Sequence, residues 1–431
     1  MAEDKYTAII VGAGPAGSTA AYLLAKEGYE VLLIERGAAP GSKNMFGGRM
    51  YSYALQRIIP DFWEEAPVER AVVREVIATL TEGSSVSFSC QDESWGKAPY
   101  HSFTLLRADF DAWLATKAEE AGALLAPGIR VDDLLLEDGK VVGVRAGEDE
   151  LRADVVIAAD GVNSLLAQKA GLRPELPAVQ VGIGVKQIIE LAPATIEERF
   201  QLTGNQGAAY LLVGAVSRGM PGGGFLYTNK SSLSLGLVVN VGGIERQQYP
   251  VRDLLEDFKS HPFIAPLIKD GRPAEYSAHL VPEAGWEMRP QLFGPGILVA
   301  GDAAGFVLNL GYQVRGMDLA IASGQAAAET VKLAVAKQDF SKAGLSSYLD
   351  ELNALSVLPD LESYRLAPKF LENPLLYARY PQLLAGMGAK LFTVQGEPAQ
   401  SLVKKMLSQI RENDFTLLQL TRDAWKGGRS L

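Results

Sequence analysis

Three glycines and one acidic residue near the N-terminus have the spacing of a dinucleotide-binding turn. Gly12, Gly14 and Gly17 lie between an apolar strand and a helix, and Glu35 ends the next strand. The first glycine permits a tight turn, the second lets the backbone approach a diphosphate, and the third allows close helix–strand packing. The diphosphate lies at the helix N-terminus, which favours anions, and the acidic residue can bind a ribose hydroxyl. The pattern predicts a dinucleotide site.

Two further apolar strands end in an acidic residue beside a glycine. Asp160 and Gly161 end one of these strands, and Gly301 and Asp302 end the other. A single strand that ends in an acidic residue beside a glycine is typical of an ordinary turn. Two such strand ends after the opening glycine pattern favour FAD as the dinucleotide. Asp302 can bond the ribityl hydroxyls of that cofactor. No second glycine pattern follows a strand, so the sequence indicates no separate nicotinamide domain.

Composition excludes several other classes of protein. The chain has 431 residues and a net charge of −10, which argues against a nucleic-acid binder because such proteins need a basic surface. Its single cysteine, Cys90, cannot ligate a zinc ion or an iron–sulfur cluster alone. The three histidines (His101, His261 and His279) are assigned no chemistry. We predict no metal site and no catalytic side chain.

The elements that position these residues predict an α/β fold. The expectation is a Rossmann-like FAD-binding domain with an inserted, mostly antiparallel β-sheet domain and a helical C-terminal region. The predicted domain boundaries are 1–175 and 286–340 for the two parts of the FAD-binding domain, 176–285 for the inserted substrate domain, and 341–431 for the helical region. The predicted strands are 6–11, 30–34, 154–159 and 295–300, with short antiparallel strands in 129–145, and the segments 180–191, 207–217 and 224–241 are predicted to form the antiparallel sheet. The predicted helices are 18–27, 106–121 and 315–332. Beyond residue 340 the pattern is helical, with breaks at Pro359, Pro368, Pro374 and Pro381.

These motifs together resemble the FAD-binding group that includes para-hydroxybenzoate hydroxylase and geranylgeranyl reductase. A narrower resemblance is to the electron-transfer-flavoprotein:quinone oxidoreductases, especially the short FixC type, and it covers nearly the whole chain. Four segments carry it: GIGVKQ at 182–187, GGGFLYTNK at 222–230, SAHLVPE at 277–283 and VRGMD at 314–318.

The resemblance implies roles for individual residues. Arg107 would contact the ribityl-phosphate region of FAD, although a surface position at a helix start is the alternative for this residue. Gly316 and Met317 would offer backbone amides to the flavin C2 carbonyl, which stabilises the anionic reduced ring. Gly222 and Gly223 would contact the quinone, or else form a bulge at a strand entry. Gly47, Gly48 and Arg49 would line the flavin, and Val131 would contact the adenine through its backbone. The full set of predicted cofactor residues is Gly12, Gly14, Ala16, Gly17, Glu35, Arg36, Gly47, Gly48, Arg49, Arg107, Val131, Asp160, Gly161, Gly301, Asp302, Gly316 and Met317.

The resemblance also implies a function and partners. Electrons from a two-subunit electron-transfer flavoprotein would pass through FAD to a menaquinone or ubiquinone, within an electron-bifurcating, NADH-dependent complex. Full-length members carry a ferredoxin-like domain with a [4Fe–4S] cluster, whose cysteines this sequence lacks. The cluster is therefore expected on a separate ferredoxin-like subunit of the FixX type.

The segment 370–394 is rich in apolar and aromatic residues, with Arg379 and Lys390 among them. It is either an ordinary helical core or partner interface, or a surface that lies on the membrane. No run of apolar residues is long enough to span a bilayer, and the N-terminus has no signal-peptide pattern. The expected location is cytoplasmic, peripheral on the inner face of the cell membrane.

Two other readings stay open at this point. One is a self-contained flavoenzyme, either geranylgeranyl-reductase-like or aromatic-hydroxylase-like. The other is a non-catalytic subunit that binds flavin within an assembly. A hydroxylase would react with NAD(P)H and oxygen, whereas no physiological donor would reduce the FAD of an assembly subunit.

Overall fold

The computed structural model describes residues 5–42, 47–396 and 398–431. In these residues the strands are β1 (Lys5–Val11), β2 (Val31–Glu35), β3 (Gly47–Tyr51), β4 (Val68–Leu80), β5 (Ser85–Gln91), β6 (Ser102–Leu106), β7 (Leu124–Pro127), β8 (Asp133–Glu137), β9 (Lys140–Ala146), β10 (Asp149–Ala158), β11 (Val181–Glu190), β12 (Gln206–Gly214), β13 (Gly222–Thr228), β14 (Ser232–Asn240), β15 (Arg272–Pro282), β16 (Phe293–Gly294), β17 (Ile297–Val299), β18 (Leu308–Asn309) and β19 (Val314–Arg315).

The helices complete the description. They are α1 (Pro15–Lys26), α2 (Tyr53–Ile58), α3 (Arg107–Glu120), α4 (Leu165–Lys169), α5 (Pro193–Phe200), α6 (Val241–Gln247), α7 (Val251–Ser260), α8 (Ala265–Ile268), α9 (Met317–Lys337), α10 (Tyr348–Ala354), α11 (Val357–Ser363), α12 (Ala367–Leu371), α13 (Arg379–Phe392), α14 (Leu402–Glu412) and α15 (Leu417–Ser430). The helix predicted at 315–332 thus begins two residues later and ends five residues later than expected.

The first sheet has the order β16-β17-β10-β1-β2-β7, with the β8–β9 hairpin attached to β10. Strands β17, β10, β1, β2 and β7 run parallel. From Ala8 to Val11, strand β1 is apolar because both of its faces are covered: Ala8 and Ile10 pack in one core, and Ile9 and Val11 pack in another. The carboxyl ends of these strands therefore meet at one edge, where a nucleotide binds in such sheets.

Helices α1 and α9 cross closely above this sheet at Gly324. A Cβ atom added to Gly324 would overlap the carbonyl oxygen of Ala16, so the crossing requires glycine. Sequence analysis did not single out Gly324, although it stands in a helix rich in alanine. The close crossing fixes the N-terminus of α9 beside the N-terminus of α1.

The second sheet has the order β15-β11-β14-β13-β12-β4-β6-β3, with β5 on β4. Adjacent strands of this sheet pair antiparallel, except β12 and β4, which pair parallel. Helices α5 and α7 cover one face through Ile196, Phe200 and Phe258. The sheet positions the residues of segments 182–187, 222–230 and 277–283 side by side.

The segment 224–241 was predicted to contribute to a mostly antiparallel sheet, and it belongs to a hairpin of β13 and β14 that turns at residues 229–231. There the Asn229 side chain donates to the hydroxyls of Ser232 and Ser234. Residues 47–106, which we assigned to the first part of the FAD-binding domain, also contribute β3, β4, β5 and β6 to this sheet. The sheet is therefore not built from an insertion at 176–285 alone, and the domain boundaries stay a prediction.

The C-terminal region is helical as expected, and each of the four prolines stands in the first turn after a break between helices. Pro359 and Pro381 lie in the first turns of α11 and α13, Pro368 is the second residue of α12, and Pro374 opens a short 3-10 turn. The first turn tolerates proline because its N–H groups have no partner within the helix. Among the described residues, none of the helices combines the length and apolarity that crossing a bilayer requires.

Candidate cofactor-binding site

One continuous cavity of about 1060 Å³ joins the carboxyl edge of the first sheet, the second sheet and the C-terminal helices. Its wall contains every predicted cofactor residue except Gly17, and also both predicted quinone glycines. Its volume is at the upper end of the range for ligand pockets. The structure therefore brings the residues of all the sequence motifs to one site.

Each of the three glycines in the turn has different steric surroundings. A Cβ on Gly12, whose φ is +107°, would overlap the carbonyl oxygen of Ala159 in the neighbouring β10 segment. A Cβ on Gly17 would overlap the carbonyl oxygen of Gly12, which explains why this residue packs behind the turn and not in the cavity wall. A Cβ on Gly14 would meet no atom within 4 Å. Gly14 therefore faces open space at the N-terminus of α1, next to Ala16.

Glu35 occupies the expected place at the end of β2. Its Oε2 accepts from the Ala13 amide at 3.1 Å, and its Oε1 accepts from the Gly37 amide at 2.5 Å. These bonds orient the carboxylate toward the turn, and its remaining acceptor positions suit a ribose hydroxyl. Arg36 is exposed at the rim and Val131 lines the opposite side of the same end of the cavity.

Arg107 is a buried member of an ionic cluster and not a surface residue. Its Nε and Nη2 donate to Asp111 Oδ1 and Oδ2 at 2.8 and 2.6 Å, and only 14% of its side chain is exposed. Burial acts to lower the pKa of Arg107, but the charges of Asp111 and Asp302 outweigh it and raise that pKa. Burial raises the pKa of Asp302, against the effect of Arg107 and Lys186. The cluster holds Arg107 and Asp302 together beside the cavity.

Two residues of this cluster were missed by sequence analysis. Lys186 of β11 and His279 of β15 line the cavity, with Lys186 Nζ 3.2 Å from His279 Nε2. Burial lowers the pKa of Lys186 well below its usual range, and burial with the nearby Lys186 and Arg107 lowers the pKa of His279 to about 3. The assignment of no chemistry to His279 was therefore incomplete. Both residues stand in the segments 182–187 and 277–283, which is the signal that could have found them.

The two strand ends with an acidic residue converge as expected. Asp160 Oδ2 accepts from the Leu166 amide at 3.1 Å, and its Oδ1 is buried with no hydrogen-bond partner in the described part of the chain. Burial raises the pKa of Asp160. Gly161 follows with a φ of +81°. The amide of Gly301 donates to the Ser323 hydroxyl at 2.9 Å, which ties the second strand end to α9.

Gly316 and Met317 begin α9 and line the cavity, so the N-terminus of this 21-residue helix faces the cavity. Arg315 anchors this end through Asp318 at 2.7 Å, Asp360 at 2.6 Å and the Tyr53 hydroxyl at 2.7 Å. Backbone amides at a helix N-terminus suit an acceptor that carries negative charge. The start of α9 is therefore held in the cavity wall, and contact with a flavin carbonyl stays a prediction for Gly316 and Met317.

Strand β3 supplies Gly47, Gly48 and Arg49. A Cβ on Gly47 would overlap the hydroxyl of Ser234 in β14, so glycine lets the two strands approach. Arg49 forms an ion pair with Glu75 and lies over the Tyr51 ring. Arg49 is thus fixed in the cavity wall by neighbours of its own sheet.

Gly222 and Gly223 were predicted to precede a strand, but they are the first two residues of β13. Gly222 has a φ of +149°, and a Cβ on it would overlap the carbonyl oxygen of Val238. A Cβ on Gly223 would lie 2.8 Å from the Leu212 carbonyl oxygen. Packing within the sheet is sufficient to explain both glycines, and both still face the cavity. Contact with a quinone stays a prediction for these two residues.

The far end of the cavity is formed by the second sheet and the C-terminal region. Glu283 follows β15, and its Oε2 accepts from Asn240 Nδ2 at 3.1 Å. Tyr377, which precedes α13, is buried and donates to the Leu371 carbonyl at 2.6 Å. Leu376 and Leu384 complete the apolar side of this end.

The apolar segment 370–394 is divided between core and surface. Leu383 is buried with Ile410 and Phe415 in a small core between α13, α14 and the turn before α15. Phe392 and Val394, in contrast, are 86% and 90% exposed. The exposed apolar side chains of this region are Leu384, Leu391, Phe392, Val394, Leu402, Val403, Leu417, Leu418 and Trp425, which we call the C-terminal apolar surface.

Comparisons with known proteins agree with this site. Residues 5–201 match the model of an FAD binding domain, and residues 367–431 match the ETF-QO/FixC family C-terminal domain. The chain is 49% identical over 427 residues to Protein FixC of Escherichia coli, with 99% of each chain covered. It is also 49% identical over 431 residues to the probable electron transfer flavoprotein-quinone oxidoreductase YdiS of Escherichia coli, with 100% of each chain covered.

Among solved structures, a geranylgeranyl bacteriochlorophyll reductase-like protein from Thermoplasma acidophilum has a TM-score of 0.72. It is 23% identical to this chain, and the match covers 95% of this chain and 96% of that chain. At this level of identity the likeness shows the fold alone.

The residues in the cavity wall fit FAD, which is the cofactor of this chain. The open space at Gly14 leaves room for a diphosphate at the N-terminus of α1, and Asp302 lines the same cavity, where its contact with ribityl hydroxyls stays a prediction. Within the described residues, no group of three or more histidine, cysteine, aspartate or glutamate side chains is arranged to hold a metal ion.

Proposed function

The chain belongs to the ETF-QO/FixC family of FAD-dependent oxidoreductases, and from that premise we propose that it passes electrons from an electron-transfer flavoprotein to a membrane quinone. The observation that carries the proposal is the continuity of the cavity. It runs from the Gly12–Gly14 turn, past the start of α9, to Gly222 and the apolar residues before and within α13. A quinone at the far end would therefore share one water-poor space with the flavin.

The chain's own residues prepare this space for electron transfer. When bound, FAD supplies the redox chemistry by taking up and giving up electrons. Gly316 and Met317 present the start of α9 to the flavin, where preorganised amides favour negative charge. Lys186 and Arg107 would lie near the ribityl side of the cofactor, and Leu376 and Leu384 would keep water from a quinone at the far end. These side chains would thus help to position donor and acceptor.

Turnover with the physiological donor class tests this function. The FAD-loaded protein is mixed anaerobically with reduced electron-transfer flavoprotein and a short-chain ubiquinone or menaquinone analogue. We expect quinol to form only when all three components are present. Formation of product from NAD(P)H and oxygen without the flavoprotein would instead support an aromatic hydroxylase.

We further propose that a ferredoxin-like subunit of the FixX type carries the [4Fe–4S] cluster beside this chain. The single cysteine of the chain, Cys90, is exposed on β5, so a four-cysteine cluster must be ligated elsewhere. The complete complex would bifurcate the electrons of NADH, with this chain on the branch that reduces quinone. A native complex purified under anaerobic conditions is expected to contain iron, and an iron-free complex with full quinone activity would contradict this part of the proposal.

The C-terminal apolar surface is proposed to lie on the inner face of the cell membrane. Exposed apolar side chains near the basic residues Lys404, Lys405 and Lys426 suit an anionic bilayer, and Leu384 reaches the cavity from this side. This arrangement would let a lipid-soluble quinone enter without crossing water.

Replacing Phe392 and Val394 by aspartate is expected to lower the partition coefficient onto anionic liposomes, measured by flotation, by at least about a hundredfold, because each large apolar side chain contributes roughly 1.5–3 kcal/mol when buried. The matched control is Tyr276→Asp on β15, a side chain 49% exposed on the edge strand of the second sheet. Equal flotation of both variants and the unaltered protein would show that this surface does not bind lipid.

A further inference from the structure

Glu283 lies at the far end of the cavity. In contrast to Asp111 and Asp302 in the same wall, which interact with Arg107, it accepts a hydrogen bond from the neutral side chain of Asn240. It follows β15, and its amide donates to the Gln180 carbonyl at 3.0 Å, which fixes its backbone. A Cβ on Gly182 of β11 would lie 2.7 Å from the Glu283 carboxyl carbon. The glycine of the neighbouring strand therefore makes room for this carboxyl group.

The neighbours of this carboxyl group come from three further elements. Asn240 at the end of β14 donates to it at 3.1 Å and also donates to the Val179 carbonyl at 2.9 Å. The amide of Asn240 in turn donates to the Pro221 carbonyl at 3.0 Å, next to Gly222 in the β13 strand. The Tyr377 hydroxyl is close enough to Glu283 and to the Gly222 backbone for both to influence it. Glu283, Tyr377 and Gly222 thus border the same space.

The charge of this group is governed by its surroundings. Burial raises the pKa of Glu283 to about 7, and the hydrogen bond from Asn240 offsets this only in part. The titratable side chain that faces it is Tyr377, whose own pKa is raised by burial and then by Glu283. Asp302 and Asp111, in contrast, are held by Arg107. In the described residues, Glu283 is hydrogen-bonded to a neutral amide and not to a cation.

We propose that Glu283 is the proton donor for quinone reduction at the far end of the cavity, with Tyr377 and Asn240 as its positioning residues. This inference rests on the proposed function. Reduction of a quinone to a quinol consumes two electrons and two protons. When bound, reduced FAD would supply both electrons and one of the two protons. The Glu283 carboxyl group gives the second proton to a quinone oxygen, becomes a carboxylate, and is protonated again from solvent.

The direction of the pH dependence follows from this role. A donor must be protonated before it can act, so quinone reduction is expected to be fastest below the pKa of Glu283 and to fall as the pH rises through about 7. An outer-sphere one-electron acceptor such as ferricenium takes no proton. The rate of ferricenium reduction is therefore expected not to show this break near pH 7. Comparing the two acceptors separates proton delivery from electron transfer.

The test compares Glu283→Gln with Glu287→Gln, an exposed carboxylate four residues further along. At pH 6, we expect Glu283→Gln to lower the ratio of quinone to ferricenium reduction rates by about a hundredfold, since a positioned general acid contributes 10²–10⁴. The break in the pH profile should disappear. The control should keep both the ratio and the break. FAD content and melting temperature establish that each variant is folded.

A second readout does not depend on turnover. The infrared spectrum of the FAD-loaded protein should show a carboxylic-acid band that titrates near pH 7, is lost in Glu283→Gln and is kept in Glu287→Gln. A Glu283→Gln variant with the wild-type pH profile and rate ratio would overturn the inference while leaving the proposed function in place. An unaltered protein that reduces no quinone would overturn the proposed function, and the inference with it.

Discussion

Replacing Gly14 by valine is expected to weaken FAD binding by more than a hundredfold while the protein still folds. A Cβ at Gly14 meets no atom within 4 Å, and the residue has a φ of −81°, so the protein itself accommodates a side chain there. That space is where a diphosphate must approach the amides of α1. Loss of two charge-assisted hydrogen bonds of about 1.5–3 kcal/mol each gives at least this change in affinity.

The ratio of FAD to protein after gel filtration, and FAD titration of the apoprotein, measure this effect. The matched control is Gly83→Val, in the exposed turn between β4 and β5, where a Cβ also meets no atom within 4 Å. Gly12→Val gives a useful contrast, because its side chain would overlap the Ala159 carbonyl and should impair folding itself. Full FAD retention by Gly14→Val would place the cofactor elsewhere.

Replacing Arg107 by methionine is expected to destabilise the protein by about 3–5 kcal/mol at neutral pH, because it leaves buried carboxylates without their cation. Asp111 is 1% exposed and pairs with Arg107 through both oxygens. Arg107 also lowers the pKa of Asp302, so removing it adds to the increase that burial already causes. The loss of unfolding free energy in Arg107→Met should become smaller as the pH falls, because protonation of Asp111 and Asp302 removes the charge that Arg107 no longer compensates.

Denaturation of each variant over a range of pH measures this prediction. The control is Arg145→Met, which removes an exposed ion pair with Glu150 and should cost about 0.5 kcal/mol or less. Adding Asp111→Leu to Arg107→Met should recover part of the stability, because both partners of the pair are then gone. A loss in Arg107→Met no larger than in the control would show that the cluster does not hold this site together.

The sequence predicts the first sheet well because its signals are local. The Gly12–Gly17 turn lies between adjacent elements, and the apolar run of β1 reflects burial on both faces. The second sheet is harder to predict because its partners are distant in the chain: β12 pairs with β4, more than a hundred residues earlier. The turn of the β13–β14 hairpin contains neither glycine nor proline, so no strong local signal marks where the segment 224–241 turns.

The residues at the cofactor end of the site could be predicted from the sequence, whereas the titratable side chains in the wall between the second sheet and the cavity could not. Lys186, His279 and Glu283 are ordinary residue types at unremarkable spacing, and only the pairing of β11 with β15 places them in the same wall. Their perturbed pKa values arise from burial, which is a property of the folded chain. The motif that contains each residue was visible, but its chemical role depends on what surrounds it.

Transfer of electrons from the reduced flavin to a quinone, measured directly, is the most direct test of the account. FAD-loaded protein is reduced anaerobically and mixed in a stopped-flow instrument with a short-chain quinone, while the flavin absorbance is followed. We predict reoxidation whose rate rises and then saturates with quinone concentration, as expected for binding in the cavity before transfer. A flavin that ignores quinone, is reduced directly by NAD(P)H and is reoxidised rapidly by oxygen would contradict the account.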